Sequence, residues 1–327
     1  MTTTLWDTNG GDIVKALSAE RRAGGAVAAG LAVTLVVVVD EKNVQPAEQA
    51  ATIAAQAHPC RLVIVVRHQL DTTSRLDAEV QVGGRLGPIE AVVMRMYGRL
   101  ALHAESVVLP LLAPDAPVVT WWHGPAPDEI ATDALGVLAN RRVTDSALAA
   151  DAAASLQQRA VDFAPGDTDL AWTRTTPWRS LLASAFDAST AEVTSARVAG
   201  EAGSGSAALL ASWISGRLGV EAQLESSPGP GITEVEIGLL EDGKERALKI
   251  SRPDGRLATF SRTGQPDRAL PLLRRQLGDL IAEELKRLEP DEVYAEALAR
   301  LTGVGELDSR PAARTLVWKD PALAASE

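Results

Sequence analysis

The sequence predicts an α/β protein: a mixed, largely parallel N-terminal sheet covered by helices, followed by a second, smaller α+β domain with an antiparallel meander. In the first half, unbroken apolar runs rich in β-branched residues alternate with helical stretches, as expected for strands covered on both faces. In the second half, turn signals separate short strand-like segments. At 327 residues the chain exceeds the usual size of one hydrophobic core, so two domains are expected.

The first domain is predicted to contain three central strands, because three apolar runs have strand length. These runs are residues 31–39, 61–66 and 117–122. Residues 76–83 and 90–97 flank a glycine- and proline-containing segment and predict an antiparallel pair added to the sheet. Helices are predicted at residues 12–22, 46–57, 99–112, 128–138 and 146–163, with a short strand near Val143.

The segment APGDTD at residues 164–169 carries the clearest boundary signal, because proline and glycine interrupt regular structure. It predicts an N-terminal α/β domain at 1–165, a C-terminal α+β domain at 166–302 and a poorly structured tail at 303–327. In the second domain, helices are predicted at residues 177–186, 207–218 and 291–301, and strands at 192–198, 221–225, 233–240, 246–251 and 257–262. Residues 269–288 place six apolar side chains on one helical face, which predicts a helix packed on the meander.

Composition and charge exclude several classes of protein. A net charge of −11 argues against nucleic acid binding, which needs a basic face. No segment resembles a signal peptide or reaches the ~20 apolar residues that span a bilayer, so we expect a cytoplasmic protein without a membrane partner. The single cysteine, Cys60, permits neither an intrachain disulfide nor a cysteine-rich zinc site, and we interpret it as buried and inert.

A search for catalytic and metal-binding motifs finds none that is complete. The first long strand is not followed by the glycines of a dinucleotide-binding loop, and the four histidines form no recognisable ligand pair. We therefore predict no enzyme activity, no cofactor and no metal. Basic doublets such as Arg274–Arg275 are interpreted as solvated. One weak anion-loop candidate precedes a predicted helix, and the alternative, a flexible connection with a serine helix cap, is favoured over it: Gly200, Gly203, Ser204, Gly205 and Ser206.

Aromatic usage is unusual, with seven tryptophans against three phenylalanines and two tyrosines. Trp121 and Trp122 are adjacent on a predicted strand, so they face opposite sides of the sheet. Arg174 and Arg179 lie near a predicted helix start, where a cation is mildly unfavourable; a nearby Asp167, Asp169 or Asp187, an anionic ligand or a partner carboxylate could compensate. Because tryptophan and arginine dominate binding hot spots, we predict six partner-binding residues: Trp121, Trp122, Trp172, Arg174, Trp178 and Arg179.

Four segments resemble the bacterial glucose-6-phosphate dehydrogenase assembly protein family, OpcA. They are RLALHAESVVLPLLAPDAPVVTWWHGPAP at 99–127, GDTDLAWTRTTPWRSLLASAFD at 166–187, HPCRLVIVV at 58–66 and SGSAALLASWISGRLGV at 204–220. The resemblance extends from about residue 5 to residue 301. It implies a non-catalytic factor that binds glucose-6-phosphate dehydrogenase, promotes or allosterically activates its oligomer and supports NADPH production in the oxidative pentose phosphate pathway.

An alternative hypothesis assigns the chain to a different class, that of an enzyme or sensor that binds a sugar phosphate or nucleotide. Its anion site would combine the loop Gly200–Ser206 with Arg174 and Arg179. The two hypotheses merge if a sugar phosphate acts as an effector of an activator protein.

Overall fold

The computed structural model describes residues 2–23, 31–83, 90–186, 191–312 and 315–316. Two sheets organise these residues, the first of eight strands and the second of six. No helix among the described residues has both the length and the apolar character needed to cross a membrane.

The first sheet has the strand order β1-β4-β5-β3-β2-β6-β7-β8. Its strands are β1 Thr2–Leu5, β2 Val33–Val39, β3 Cys60–Arg67, β4 Arg75–Val82, β5 Glu90–Tyr97, β6 Val118–His123, β7 Arg141–Thr144 and β8 Asp167–Asp169. From β5 through β8 all neighbours are parallel, whereas β4 pairs antiparallel with β5 and β1 with β4. The predicted mixed, largely parallel sheet and its antiparallel pair are confirmed.

Helices cover both faces of this sheet. The helices of the described residues are α1 Gly10–Ala23, α2 Val44–Ala57, α3 Ala104–Val108, α4 Ala152–Asp162, α5 Leu170–Thr173, α6 Thr176–Phe186, α7 Gly205–Leu218, α8 Leu277–Lys286 and α9 Glu292–Thr302. Alternate residues of β2 point to opposite layers, so Leu35 and Val37 belong to the core under α2 and α8 while Val36 belongs to the core under α1 and α3. Burial on both faces is the reason that β2 is apolar at nearly every position.

The second sheet has the order β10-β9-β11-β12-β13-β14. Its strands are β9 Glu192–Glu201, β10 Ala222–Ser227, β11 Ile232–Glu241, β12 Lys244–Ser251, β13 Leu257–Arg262 and β14 Arg268–Pro271. Strands β11 to β14 form the predicted antiparallel meander, and α7 is the crossover between the parallel pair β9 and β10. Side chains of α6 and α7 form the core on one face of this sheet.

The prediction for residues 269–288 is wrong in two respects. The segment begins with β14, and only residues 277–286 form a helix, α8. This helix packs on α2 over the first sheet, with Leu280, Ile281 and Leu285 in that core. A Cβ added at Gly278 would lie 2.5 Å from Ile53, so the absence of a side chain permits the close approach of α8 to α2.

Two further helix predictions need correction. Residues 128–138 form turns rather than a helix, and the Asp133 carboxylate accepts a hydrogen bond from the backbone N–H of Leu135. Residues 99–112 are divided into a 3-10 helix at Gly98–His103, the short helix α3 and a 3-10 turn at Leu109–Leu111 that contains Pro110. Proline and short polar side chains favour turns because they withhold or redirect backbone hydrogen bonds.

The division into two domains stays a prediction. Strand β8 belongs to the first sheet although it lies just beyond the predicted boundary after residue 165, and α8 from the second half covers the first sheet. The two halves therefore share a seam formed mainly by residues 167–179 and the face of α8.

Candidate functional site

The seam between the two sheets contains four of the six predicted partner-binding residues. It begins at Asp169, whose fully buried carboxylate accepts hydrogen bonds from Thr144 Oγ1 at 2.7 Å, from Ser146 and from the backbone N–H of Ala171. Burial raises the pKa of Asp169, as does the neighbouring Asp145 to a smaller extent. Asp169 thereby caps α5 and fixes the direction in which the chain leaves the first sheet.

Trp172 packs inside the seam. Its indole N–H donates to Asp291 Oδ2 at 2.9 Å, and the Arg179 guanidinium lies 3.7 Å from the ring centroid. Arg179 also donates to Thr175 Oγ1 at 2.9 Å. Burial lowers the pKa of Arg179 because desolvation disfavours its charge. This arrangement of a cation over a hydrogen-bonded indole ties α5 and α6 to the start of α9.

Arg174 has a carboxylate partner that the sequence did not indicate. It donates two hydrogen bonds to Asp145, at 2.6 and 2.7 Å. Of the acids considered from sequence, Asp167 pairs instead with Arg142, Asp169 caps α5, and Asp187 lies outside the described residues. A nearby carboxylate does compensate Arg174, but it comes from the turn that follows β7.

The tryptophans predicted to meet a partner are interior residues in this structure. Trp121 is 0% exposed, and Trp122, Trp172 and Trp178 are each 1% exposed. Trp121 faces the core under α2 and α8, whereas Trp122 lines a cleft on the opposite side, as their adjacency requires. Contact of these indoles with a partner stays a prediction, and it would require movement that uncovers them.

A two-part cleft lies at the carboxyl end of the parallel strands. One part has a volume of about 540 Å³ and is lined by Asp145, Ser155 and Arg159, among others; the other, of about 340 Å³, is lined by Arg67 and His123. Strand β2 lies between β3, which follows it in the chain, and β6, which comes later. From β2 the order therefore continues through β3 on one side and through β6 on the other. This is the topological switch point, where open α/β sheets bind ligands.

The cleft offers little acid–base chemistry. Burial lowers the pKa of His123, with Asp145 opposing that effect, so the imidazole is neutral near pH 7. His123 Nδ1 has no hydrogen-bond partner among the described residues. Thr144 donates to Asp169, and Ser155 donates to Ser146 Oγ at 3.0 Å. Within the described part of the chain, no hydroxyl of the cleft bonds a histidine and no three potential ligands cluster for a metal ion.

The predicted anion loop runs from the end of β9 to the first turn of α7. Ser204 caps the helix by accepting the backbone N–H of Ala207, and Gly203 has a φ of +74°. Gly200 and Gly205 are tightly packed, since an added Cβ would lie 2.8 Å from Ala207 and 3.2 Å from Leu156.

Of the loop residues, Ser206 lines a pocket that also contains Arg174. The other arginines of this pocket, which sequence reasoning missed, are Arg252, Arg274 and Arg275. The Arg274–Arg275 doublet was the available signal.

Comparison with models of known protein families shows the family to which the chain belongs. Residues 51–161 match a family model described as the N-terminal domain of a glucose-6-phosphate dehydrogenase subunit, and residues 165–298 match a model described as the C-terminal domain of the same protein. The chain belongs to the OpcA family. The resemblance drawn from the four sequence segments is confirmed, and the two matches together cover strands β3 to β14 and the seam between the two sheets.

Other comparisons add little to this assignment. No curated protein matches the OpcA-family chain. A solved structure, an oxidoreductase from Sinorhizobium meliloti, is similar at 12% identity and a TM-score of 0.37, over 82% of this chain and 86% of that one. At this level of similarity the match supports no conclusion about fold or activity.

Proposed function

We propose that this protein is a non-catalytic factor that binds glucose-6-phosphate dehydrogenase and promotes its active oligomer. The observation that carries the proposal is the match of both halves of the chain to domains of the dehydrogenase-associated OpcA family. The absence of a nucleophile–base pair among the described residues of the cleft is compatible with it. The function would place the protein in the cytoplasm, where it would support NADPH production in the oxidative pentose phosphate pathway.

Activation follows if the factor binds the active quaternary state of the dehydrogenase more tightly than the inactive state. A ligand can shift such an equilibrium only by its difference in affinity for the two states. Activity and oligomer mass are therefore expected to rise together and to saturate at the same concentration of the factor.

Binding of the dehydrogenase requires a contact surface on this chain, and a groove between α6 and α7 has side chains of the types found in protein interfaces. The groove has a volume of about 230 Å³ and is lined by Phe186, Trp213 and Leu218, among others, with Arg217 beside them. Partly exposed aromatic and aliphatic side chains beside an arginine are typical of the energetic centre of protein interfaces. The groove lies within the C-terminal family match, and we propose that the dehydrogenase covers it.

A lysine substitution tests this surface. Ala183 is exposed, lines the groove and lies on α6, so Ala183→Lys adds bulk and charge without removing a packed side chain. Ser184→Lys is the matched control, because Ser184 is the next exposed residue of the same helix and does not line the groove. We expect Ala183→Lys to weaken binding of the dehydrogenase about tenfold or more and Ser184→Lys to leave it unchanged. Equal effects of the two variants would exclude the groove.

A further inference from the structure

A further pocket lies between α6, the start of α7 and the meander, and it shares no lining residue with the cleft of the first sheet. Four arginines line it, and its described lining residues include no aspartate or glutamate. This grouping is unexpected in a chain with a net charge of −11, because acidic residues outnumber basic ones and could have neutralised it. Two of the arginines form ion pairs with acidic residues that do not line the pocket: Arg174 pairs with Asp145, and Arg275 pairs with Glu283.

Arg252 carries a buried charge without a carboxylate partner among the described residues. It is 6% exposed, and it donates to backbone carbonyls, to Leu272 at 3.0 Å and to Ile232 at 2.9 Å. Its Nε has no partner in the described part of the chain. A buried guanidinium without a counter-charge is costly, and a bound anion removes that cost.

Arg274 increases the positive charge at the same place. Its side chain is exposed and makes no ion pair within the described residues. Burial lowers the pKa of Arg252, the neighbouring Arg274 lowers it further, and Asp254, which does not line the pocket, opposes them to a smaller extent. Two cations held next to each other in a pocket without a described acid favour a ligand of at least one negative charge.

Hydrogen-bond donors and an aromatic wall complete the pocket. Ser206, 6% exposed, stands in the first turn of α7, where the backbone N–H groups lack intrahelical acceptors and the helix dipole favours an anion. The Trp178 ring lies 5.0 Å from the Arg252 guanidinium and forms one side.

The enclosed volume is about 50 Å³. That is room for roughly four water molecules, and therefore for a small anion such as one phosphate group.

We propose that this pocket binds a phosphate group, either of a small phosphorylated metabolite or as free inorganic phosphate. Arginine forks and a serine hydroxyl at a helix start match the several acceptor oxygens of phosphate. Leu273 and Arg274 line the pocket and are exposed, so the remainder of an ester bound beside them can lie in solvent. This site replaces the predicted combination of the Gly200–Ser206 loop with Arg174 and Arg179, because only Ser206 and Arg174 of that set line the pocket.

Calorimetry on the full chain at low ionic strength, without the dehydrogenase, tests the site. The probes are glucose 6-phosphate, inorganic phosphate and glucose. We expect both phosphates to bind and glucose not to bind; tighter binding of the ester identifies a metabolite as the ligand, and equal binding identifies free phosphate. Because the dehydrogenase is absent, the outcome is independent of the proposed partner function.

Variants assign the binding to this pocket. Arg274→Gln removes an exposed side chain without an ion-pair partner among the described residues and is expected to weaken phosphate binding about tenfold or more. Arg268→Gln is the control, because Arg268 is an exposed arginine on β14 that does not line the pocket. Arg252→Lys is expected to weaken binding as well, and circular dichroism checks its fold. The proposal is overturned if neither phosphate binds, or if Arg274→Gln and Arg268→Gln weaken binding equally.

Discussion

Replacing Glu284 by alanine is expected to destabilise the protein strongly, because Glu284 attaches α8 to the first sheet. Glu284 is 4% exposed and Arg141 is 2% exposed. The Glu284 carboxylate accepts hydrogen bonds from Arg141 at 2.7 Å and from Thr173 at 2.5 Å. Its removal leaves the Arg141 charge buried beside the Glu289 carbonyl, which accepts a hydrogen bond from Arg141 at 3.0 Å but carries no full charge.

Breaking a buried ion pair from one side costs about 3–5 kcal/mol, so Glu284→Ala is expected to lower the free energy of unfolding by that amount. The exposed pair Arg217–Glu296 provides the control, and Glu296→Ala should cost at most about 1 kcal/mol. The double variant Arg141→Met with Glu284→Leu removes both charges and is expected to recover at least half of the loss. Urea denaturation followed by circular dichroism measures all three variants. If Glu284→Ala costs no more than Glu296→Ala, α8 does not pack as described.

Three further predictions concern single side chains. The pKa of His123 is lowered by burial, so below about pH 6.5 the unfolded chain binds more protons than the folded chain, and stability is lost as the pH falls through that range. His123→Asn should reduce this loss of stability between about pH 7.5 and 5.5, measured by urea titrations. An unchanged dependence of stability on pH would contradict the burial of His123. Burial raises the pKa of the Cys60 thiol to about 12, so a thiol reagent should modify the native protein only on the time scale of unfolding, and rapid stoichiometric labelling would show that Cys60 is accessible. Trp172→Phe keeps a ring under Arg179 but leaves Asp291 without the indole donor, and should cost about 1–2 kcal/mol; a neutral result would mean that this hydrogen bond is absent.

The sequence predicts the strands of the first sheet well because burial on both faces leaves a direct signal. The apolar run at 31–39 locates β2 Val33–Val39 to within two residues, and the glycine- and proline-containing segment before residue 90 correctly indicates the antiparallel β4–β5 pair. Such signals are local. They need no knowledge of which element supplies the covering side chains.

The position of α8 could not be predicted, because the apolar face of a helix does not specify the surface that covers it. Leu280 and Leu285 show that α8 has a buried side, and the nearby meander was the simpler partner. The seam presents the same difficulty for charges. The pairs Arg174–Asp145 and Arg141–Glu284 join residues 29 and 143 positions apart, and no spacing rule connects residues at such separations.

The prediction from tryptophan usage illustrates how composition alone can suggest two different roles. Tryptophan and arginine dominate binding sites, but they also form cation–π contacts inside proteins. Trp172 with Arg179 and Trp178 with Arg252 are contacts of the second kind. The arginine pocket was missed because Arg252 and Ser206 are distant in sequence and meet only through the packing of the meander against α7.

The central claim is that this chain binds glucose-6-phosphate dehydrogenase and favours its active oligomer. Analytical ultracentrifugation of the dehydrogenase with increasing amounts of the wild-type chain tests it most directly. Enzyme activity is measured on the same samples. We expect a heavier species that contains both proteins, with activity rising in proportion to that species. Independent sedimentation of the two proteins across the whole titration, with unchanged activity, would contradict the claim.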